Sequence, residues 1–412
     1  MTDLSSEVPA RRQDLKVVSL IAAGHFLSHF YILVLPPLFP LLRGEYGVSY
    51  TALGLALAVL NGTTALTQAP VGFLVDRFGA RSILIGGLAL FALAIALIGV
   101  FPAYPALILL MMLAGLGNAV FHPADYAILS ASVNVERMGR AFSIHTFGGY
   151  IGFASAPVTV VFLAGLFGWQ WALMICGGAG LLVALLMLAN SEVLLDDSAT
   201  RHARATQRQR HGADLRLLFS LPILTSLAFF AMLALTHGGL STFGVSALES
   251  LYQVPLVEAN VPLSIYLFAS AFGVLAGGWT ADRTRRHDWL VGACMILGAI
   301  TVAPVAAFTP SLVLVSVLLG VAGFFSGAVA PSRDMMVRAI TPPGASGKVF
   351  GFVIIGFNIG GLITPLIFGM VMDHSEPRLV FWLVAILSLL TLITVFGTGR
   401  HARAGRVAAG AD

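Results

Sequence analysis

The residues able to move a proton or hold a charge lie inside long apolar stretches: His25, His29, His122, Asp125, His145, His237, Arg333 and Asp334. Ionisable groups in such surroundings are expensive to keep and are functional candidates for that reason. His25 and His29 are spaced i, i+4, so a helix places both imidazoles on one face. An imidazole changes charge near neutral pH, which suits proton coupling. The blander reading is a pair of neutral rings hydrogen-bonded to neighbouring helices. The same HxxxH spacing offers two metal ligands, but no third ligand or histidine cluster adjoins it in the sequence, so no metal is expected. Of the two, His29 is the preferred coupling residue, because His237 stands at an offset of 208.

Asp125 and Arg333 are also related by 208 positions, each about two turns from the end of its apolar run. Opposite charges at related positions suggest a gate ion pair, since either charge alone in a dry gate would be costly. Alternatively, the guanidinium fork of Arg333 binds a phosphonate or carboxylate substrate, or both groups snorkel to the interface. Asp334 should face roughly 100° away from Arg333 on a helix and neutralise Arg338. Pro123 removes a backbone donor, so His122 is expected to satisfy a freed carbonyl. His145 is a candidate cavity-wall residue. Gln68, Tyr31 and Asn358 are further polar positions that should avoid lipid.

The elements that must position these groups follow from composition. The chain has 412 residues, 58% hydrophobic and only 10% charged, with a mean hydropathy of +0.92. Soluble domains are roughly a quarter charged, so a secreted enzyme, a nucleic-acid-binding module and a disordered scaffold are excluded. A helix needs about 20 apolar residues to cross a bilayer. Such runs occur at 17–42, 51–74, 82–101, 105–131, 140–165, 169–190, 216–247, 260–281, 289–308, 311–338, 348–372 and 378–398. The fold class is therefore an all-α polytopic membrane protein of twelve transmembrane helices, in two six-helix bundles related by a pseudo-two-fold. The bundles span 1–190 and 216–412, with a polar loop at 191–215 between them. Cys176 and Cys294 lie in apolar runs and read as inert thiols.

Of the 23 lysines and arginines, all but Arg43, Arg333 and Arg378 fall in alternate loops or at the termini. By the positive-inside rule both termini and the central loop are cytoplasmic, with the chain in the cell (inner) membrane. The basic loop at 191–215 reads as a tether with no nucleic-acid role. The halves repeat: Gly139-Arg-Ala-Phe142 matches Gly347-Lys-Val-Phe350, and Pro123, Gly148, Gly152 and Pro157 fall on Pro331, Gly356, Gly360 and Pro365. Gly72-x-x-x-Asp76-Arg77 recurs as Gly278-x-x-x-Asp282-Arg283. With Arg81 this pair reads as a cytoplasmic latch, its glycines permitting close helix approach and its acids meeting helix N-termini.

The chain resembles the major facilitator superfamily. The residues that carry the likeness are the twelve runs in two repeats and Gly72-Phe-Leu-Val-Asp76-Arg77-Phe-Gly79-Ala-Arg81. A narrower likeness, to fosmidomycin-resistance-type efflux proteins, lies in Gly115-Leu-Gly117-Asn-Ala-Val-Phe121-His122-Pro123, Gly139-Arg-Ala-Phe-Ser143 and Gly148-Gly149-Tyr-Ile-Gly152. Such proteins usually carry Asn-Asp in the first helix, where this chain has Ser28-His29. Met111 stands where the superfamily's fourth-helix arginine would be. The resemblance implies a secondary active transporter, a monomer working by alternating access, that exports a small compound, with an anion as one option, by proton antiport. The alternative is proton-coupled uptake of an organic anion. HExxH, GxSxG and nucleotide motifs are missing from the sequence, so neither an enzyme nor a cofactor is expected.

Overall fold

Helices satisfy every backbone group within their own segment, and only helices or closed barrels can cross hydrocarbon. The computed structural model describes residues 4–195, 215–342 and 345–408. Among the described residues, twelve helices are long and apolar enough to span a membrane. They are α1 (Gln13–Tyr46), α2 (Tyr50–Phe78), α3 (Ala80–Val100), α4 (Tyr104–Ser132), α5 (Met138–Phe167) and α6 (Trp169–Ala189), followed by α7 (Leu221–Tyr252), α8 (Leu256–Ala281), α9 (His287–Phe308), α10 (Leu312–Ala339), α11 (Lys348–Asp373) and α12 (Pro377–Arg400). Each coincides with one apolar run of the sequence. Most of the central loop, including Arg201 to Arg210, lies outside the described residues.

Prolines interrupt two of these helices. In α1 the helical path ends at Ile32, passes through a 3-10 turn at Pro36–Leu38 and resumes at Phe39. In α4 it pauses between Asn118 and Phe121. Pro123 has no N–H to offer the carbonyl of Ala119, which explains the pause. Its repeat mate Pro331 is carried inside a helix that runs unbroken from Leu312 to Ala339. Tight reversals use glycine where the backbone is left-handed: Gly79, at φ 92, opens α3, and Gly168, at φ 85, opens α6.

Contacts divide the chain into two units, residues 1–34 with 59–213 and residues 35–58 with 214–412. In the first, α1 packs on α5, and α3 packs on α4 and α6. In the second, α7 packs on α11 and α12, α8 on α10, and α9 on α10 and α12. The pairings α1 with α5, α3 with α4 and α3 with α6 thus recur as α7 with α11, α9 with α10 and α9 with α12. The 208-residue repeat is a structural repeat.

Residues 35–58 belong to the second unit through specific contacts. Phe39 packs against Phe243 with ring centroids 5.4 Å apart. The first turn of a helix leaves N–H groups without partners. Here the Asp373 carboxylate accepts from the N–H of Tyr50 (2.7 Å), the N–H of Thr51 (2.9 Å) and the Thr51 hydroxyl (2.6 Å).

Candidate functional site

Three helices of the first unit, α1, α4 and α5, bring His25, His29, His122, Asp125 and His145 together. Asp125 is fully buried, and His25 and His145 are 3% and 2% exposed, so water does not solvate the carboxylate. His145 Nε2 lies 2.9 Å from Asp125 Oδ2 in a hydrogen bond. His25 Nδ1 lies 3.2 Å from the same oxygen, without the alignment of a hydrogen bond. The other carboxylate oxygen, Oδ1, has no partner, nor have Nδ1 of His29 and Nδ1 of His145. The rings of His25 and His145 stack at 3.7 Å, and His29 lies 4.4 Å from His25.

This arrangement depends on a missing side chain. A Cβ on Gly149 would stand 3.0 Å from His25 Cδ2 and Nε2 and 3.1 Å from His29 Nε2. Three residues on, Gly152 lies against the backbone of Phe26, where a Cβ would overlap its carbonyl oxygen. Glycine at these two places lets α5 sit close enough to α1 for the rings to lie over it. Phe153 backs His29 at 4.3 Å. Tyr126, which sequence reasoning missed, packs beside His145 at 5.7 Å and His122 at 6.1 Å.

Chemically, one carboxylate and two touching imidazoles can share a proton in several ways. Two protonated rings about 4 Å apart would repel by roughly 4 kcal/mol at an effective dielectric near 20. Single occupancy is therefore favoured, with the carboxylate offsetting the one charge.

Several expectations require correction. His29, the preferred coupling candidate, lies beside His25 with ring centroids 4.4 Å apart, while His25 and His145 are the imidazoles against the carboxylate. His122 has no hydrogen bond to a freed carbonyl among the described residues; its ring is exposed and faces His25 at 5.7 Å. Tyr31 is fully buried, and its hydroxyl donates to the Cys176 carbonyl at 2.9 Å, bracing α1 on α6. Asp125 and Arg333 are both engaged locally. Each has a partner within its own unit, Arg333 Nε meeting Asp334 Oδ1 at 2.9 Å. The long arginine side chain folds back to its neighbour, so Asp334 serves Arg333 in place of Arg338. Gln68 and Asn358 are half-buried, and their side-chain amides make no hydrogen bond among the described residues.

The GxxxDR pair is also arranged differently from the sequence reading. A Cβ on Gly72 or Gly278 would meet nothing within 4 Å, so neither glycine serves a close approach here. The carboxylates of Asp76 and Asp282 make no ion pair or hydrogen bond among the described residues. Arg77 lies over Phe78 at 5.2 Å, and Arg283 lies over Trp279 at 4.0 Å. Arg81 donates to the Ser191 carbonyl at 3.0 Å.

The second unit holds a different polar group. His237 Nδ1 is 2.7 Å from the Tyr266 hydroxyl and its Nε2 is 2.9 Å from the Ser326 hydroxyl. Both ring nitrogens are thereby satisfied, unlike those of its repeat mate His29. Beneath Tyr266 and Ser326 lies a cavity of about 20 Å³, reached also by Thr236 and Ser388, which is room for one water. Sequence reasoning missed Tyr266 and Ser326. The 208 offset was the signal for Ser326, since it falls on Asn118, a polar residue that bonds Thr64 across to α2 at 3.3 Å. The Arg333 guanidinium lies between two aromatic faces, 4.7 Å from the Phe230 ring and 5.0 Å from the Phe357 ring.

Twelve spanning helices in repeated pairings define a multi-pass membrane transporter fold, and the chain belongs to the Major Facilitator Superfamily, which it matches over residues 21–286 and 233–411. It is similar to the fosmidomycin resistance protein of Escherichia coli (strain K12), at 24% identity over 402 residues and 93% of each chain. It is also similar to the D-galactonate transporter of Escherichia coli O6:H1, at 23% identity over 391 residues, covering 86% of this chain and 89% of that one. Among solved structures, a bacterial homolog of the human lysosomal transporter Spinster, in an inward-facing and occupied conformation, superposes with a TM-score of 0.74. That match covers 97% of both chains at 17% identity.

Proposed function

We propose that the protein is a proton-coupled antiporter that exports a small anionic compound, with the His25–Asp125–His145 cluster holding the coupling proton. The observation that carries this reading is a fully buried carboxylate with one open oxygen, touched by two imidazoles inside a spanning bundle. Buried unpaired charge is costly, so emptying and refilling such a site has to accompany a change in its surroundings, which is what coupling requires. Arg333, held between Phe230 and Phe357, is the group suited to an anionic substrate. The distribution of basic residues supports placement in the inner membrane with both termini in the cytoplasm. Likeness to the fosmidomycin resistance protein favours export; likeness to a D-galactonate transporter favours the second reading, symport of an organic anion.

The test uses energised everted vesicles challenged with phosphonates, carboxylates and common antibiotics. A true export substrate should discharge part of the pH gradient, and Asp125→Asn, present at wild-type abundance, should abolish the effect. Discharge at the wild-type rate in that variant would remove Asp125 from the coupling scheme. Accumulation of a carboxylate in right-side-out vesicles, driven by an imposed acid exterior, would establish the symport reading instead.

A further inference from the structure

The fold gives His25, one histidine of the HxxxH pair, two further ligands from other helices, Asp125 and His145. One donor atom from each of His25, Asp125 and His145 lies within 4.8 Å of the other two. Two edges of this triangle are 3.2 Å, from His25 Nδ1 to Asp125 Oδ2, and 2.9 Å, from His145 Nε2 to the same oxygen. Zinc binds imidazole nitrogen and carboxylate oxygen at about 2.0–2.2 Å, so two tetrahedral ligands sit roughly 3.3–3.5 Å apart. The first edge is nearly that length, and the second needs to open by only a few tenths of an ångström. We propose that His25, Asp125 and His145 form a binding site for a divalent transition metal ion of the zinc class.

Three features support a metal over a purely structural contact. One of the three donors is orphaned in a way a cation would cure: His25 Nδ1 is buried without a hydrogen-bond partner, as is the second oxygen of the same carboxylate, Asp125 Oδ1, and such groups are rare in folded proteins. The donor set is two imidazoles and a carboxylate, which suits zinc, nickel or copper and disfavours magnesium or calcium. Three protein ligands leave a fourth position open, and the approach to the cluster is lined by His122, which is exposed, and His29, which is half-buried. Helices α1, α4 and α5 each contribute one ligand, so binding would cross-link the bundle.

The site does not depend on proton coupling. It predicts only that metal and protons exclude each other, because these ligands bind a metal in their deprotonated forms. A transporter uncoupled from protons could still bind zinc, and a proton-coupled one could fail to.

The experiment is direct binding to purified, tag-free protein in detergent, after chelator treatment, with no substrate and no gradient. Zn²⁺ is titrated by calorimetry at pH 7.5, and Co²⁺ is used as a spectroscopic probe. The expected result is one equivalent per chain, with visible bands of a four-coordinate Co²⁺ site that fade as pH is lowered to 5. Asp125→Asn and His145→Gln should each weaken binding at least tenfold, while His237→Gln, outside the cluster, should leave it unchanged. Melting temperature and monodisperse elution establish that each variant is folded. If Asp125→Asn does not fold, His25→Gln and His145→Gln carry the comparison. No binding by folded wild-type protein overturns the proposal. So does binding of equal strength in the cluster variants, which would place the metal elsewhere.

Discussion

Replacing Gly149 with alanine tests the cluster through its packing without touching a titratable group. The added Cβ would stand 3.0 Å from two atoms of the His25 ring and 3.1 Å from His29 Nε2. Ordinary contact for such atoms starts at about 3.5 Å, so each ring must withdraw by roughly half an ångström. Each ring already has a close neighbour. His25 already stacks on His145 at 3.7 Å, and Phe153 stands 4.3 Å behind His29. The helix backbones cannot part either, because Gly152, one turn on, lies directly against the backbone of Phe26. Overpacking of this kind costs about 1–3 kcal/mol. The proper reference is Gly178→Ala on α6, where a Cβ meets nothing within 4 Å. There the lower backbone entropy of alanine should stabilise by about 0.5–1 kcal/mol. Thermal unfolding in detergent, read for both variants beside the wild type, should move in opposite directions. Substrate-driven proton release should fall in Gly149→Ala and be unchanged in Gly178→Ala. If the two variants melt together and transport alike, the rings do not occupy the place described, and the account of the cluster fails.

Three further perturbations address other parts of the molecule. Asp373→Ala removes the acceptor of three hydrogen bonds at the start of α2; loss of a helix cap is worth about 1–2 kcal/mol, so its melting temperature should drop by a few degrees, and a wild-type value would show that the contact contributes nothing. Arg333→Lys keeps the charge but loses the planar contact with Phe230 and Phe357, so the KM for an anionic substrate should rise at least tenfold. An unchanged KM would exclude Arg333 from the substrate site. Tyr266→Phe deprives His237 Nδ1 of its partner, which should destabilise by about 1–3 kcal/mol while leaving metal binding intact. A variant as stable as the wild type would refute a stabilising role for the His237–Tyr266 hydrogen bond.

The spanning helices were legible because the free energy of an apolar run in a bilayer is summed along the chain and needs no partner. The pause in α4 was legible for the same reason, since Pro123 acts on its own backbone. Convergence of His25, Asp125 and His145 was not, because it depends on the register at which α1, α4 and α5 pack, and that register is set by absences such as Gly149. Tyr31 shows the same limit: a tyrosine in an apolar run faces either a cavity or a neighbour's carbonyl, and the choice is made by Gly180, which leaves room for its hydroxyl. The repeat offset brought Asp125 and Arg333 to equivalent backbone positions but said nothing of side-chain direction. A flexible arginine with an acid next to it takes the local partner.

The repeat sharpens what is particular to the first unit. Stepping the cluster forward by 208 residues converts His25 to Leu233, His122 to Ala330 and His145 to Val353. Leu233 and Val353 belong to the hydrophobic core of the second unit. The same backbone positions therefore accept an ordinary apolar filling, so the fold does not require imidazoles there. Burying a carboxylate with an unpaired oxygen is unfavourable for stability, and the second unit shows the less costly solution available to this architecture. Where that unit keeps its histidine, at His237, it also supplies Tyr266 and Ser326 to satisfy both nitrogens. The first unit retains the unsatisfied arrangement, with open valences at Asp125 Oδ1, His29 Nδ1 and His145 Nδ1. His25 and His145 thus stand against a carboxylate with an open oxygen, at positions the fold can fill with leucine and valine, an arrangement expected to take up and release a cation.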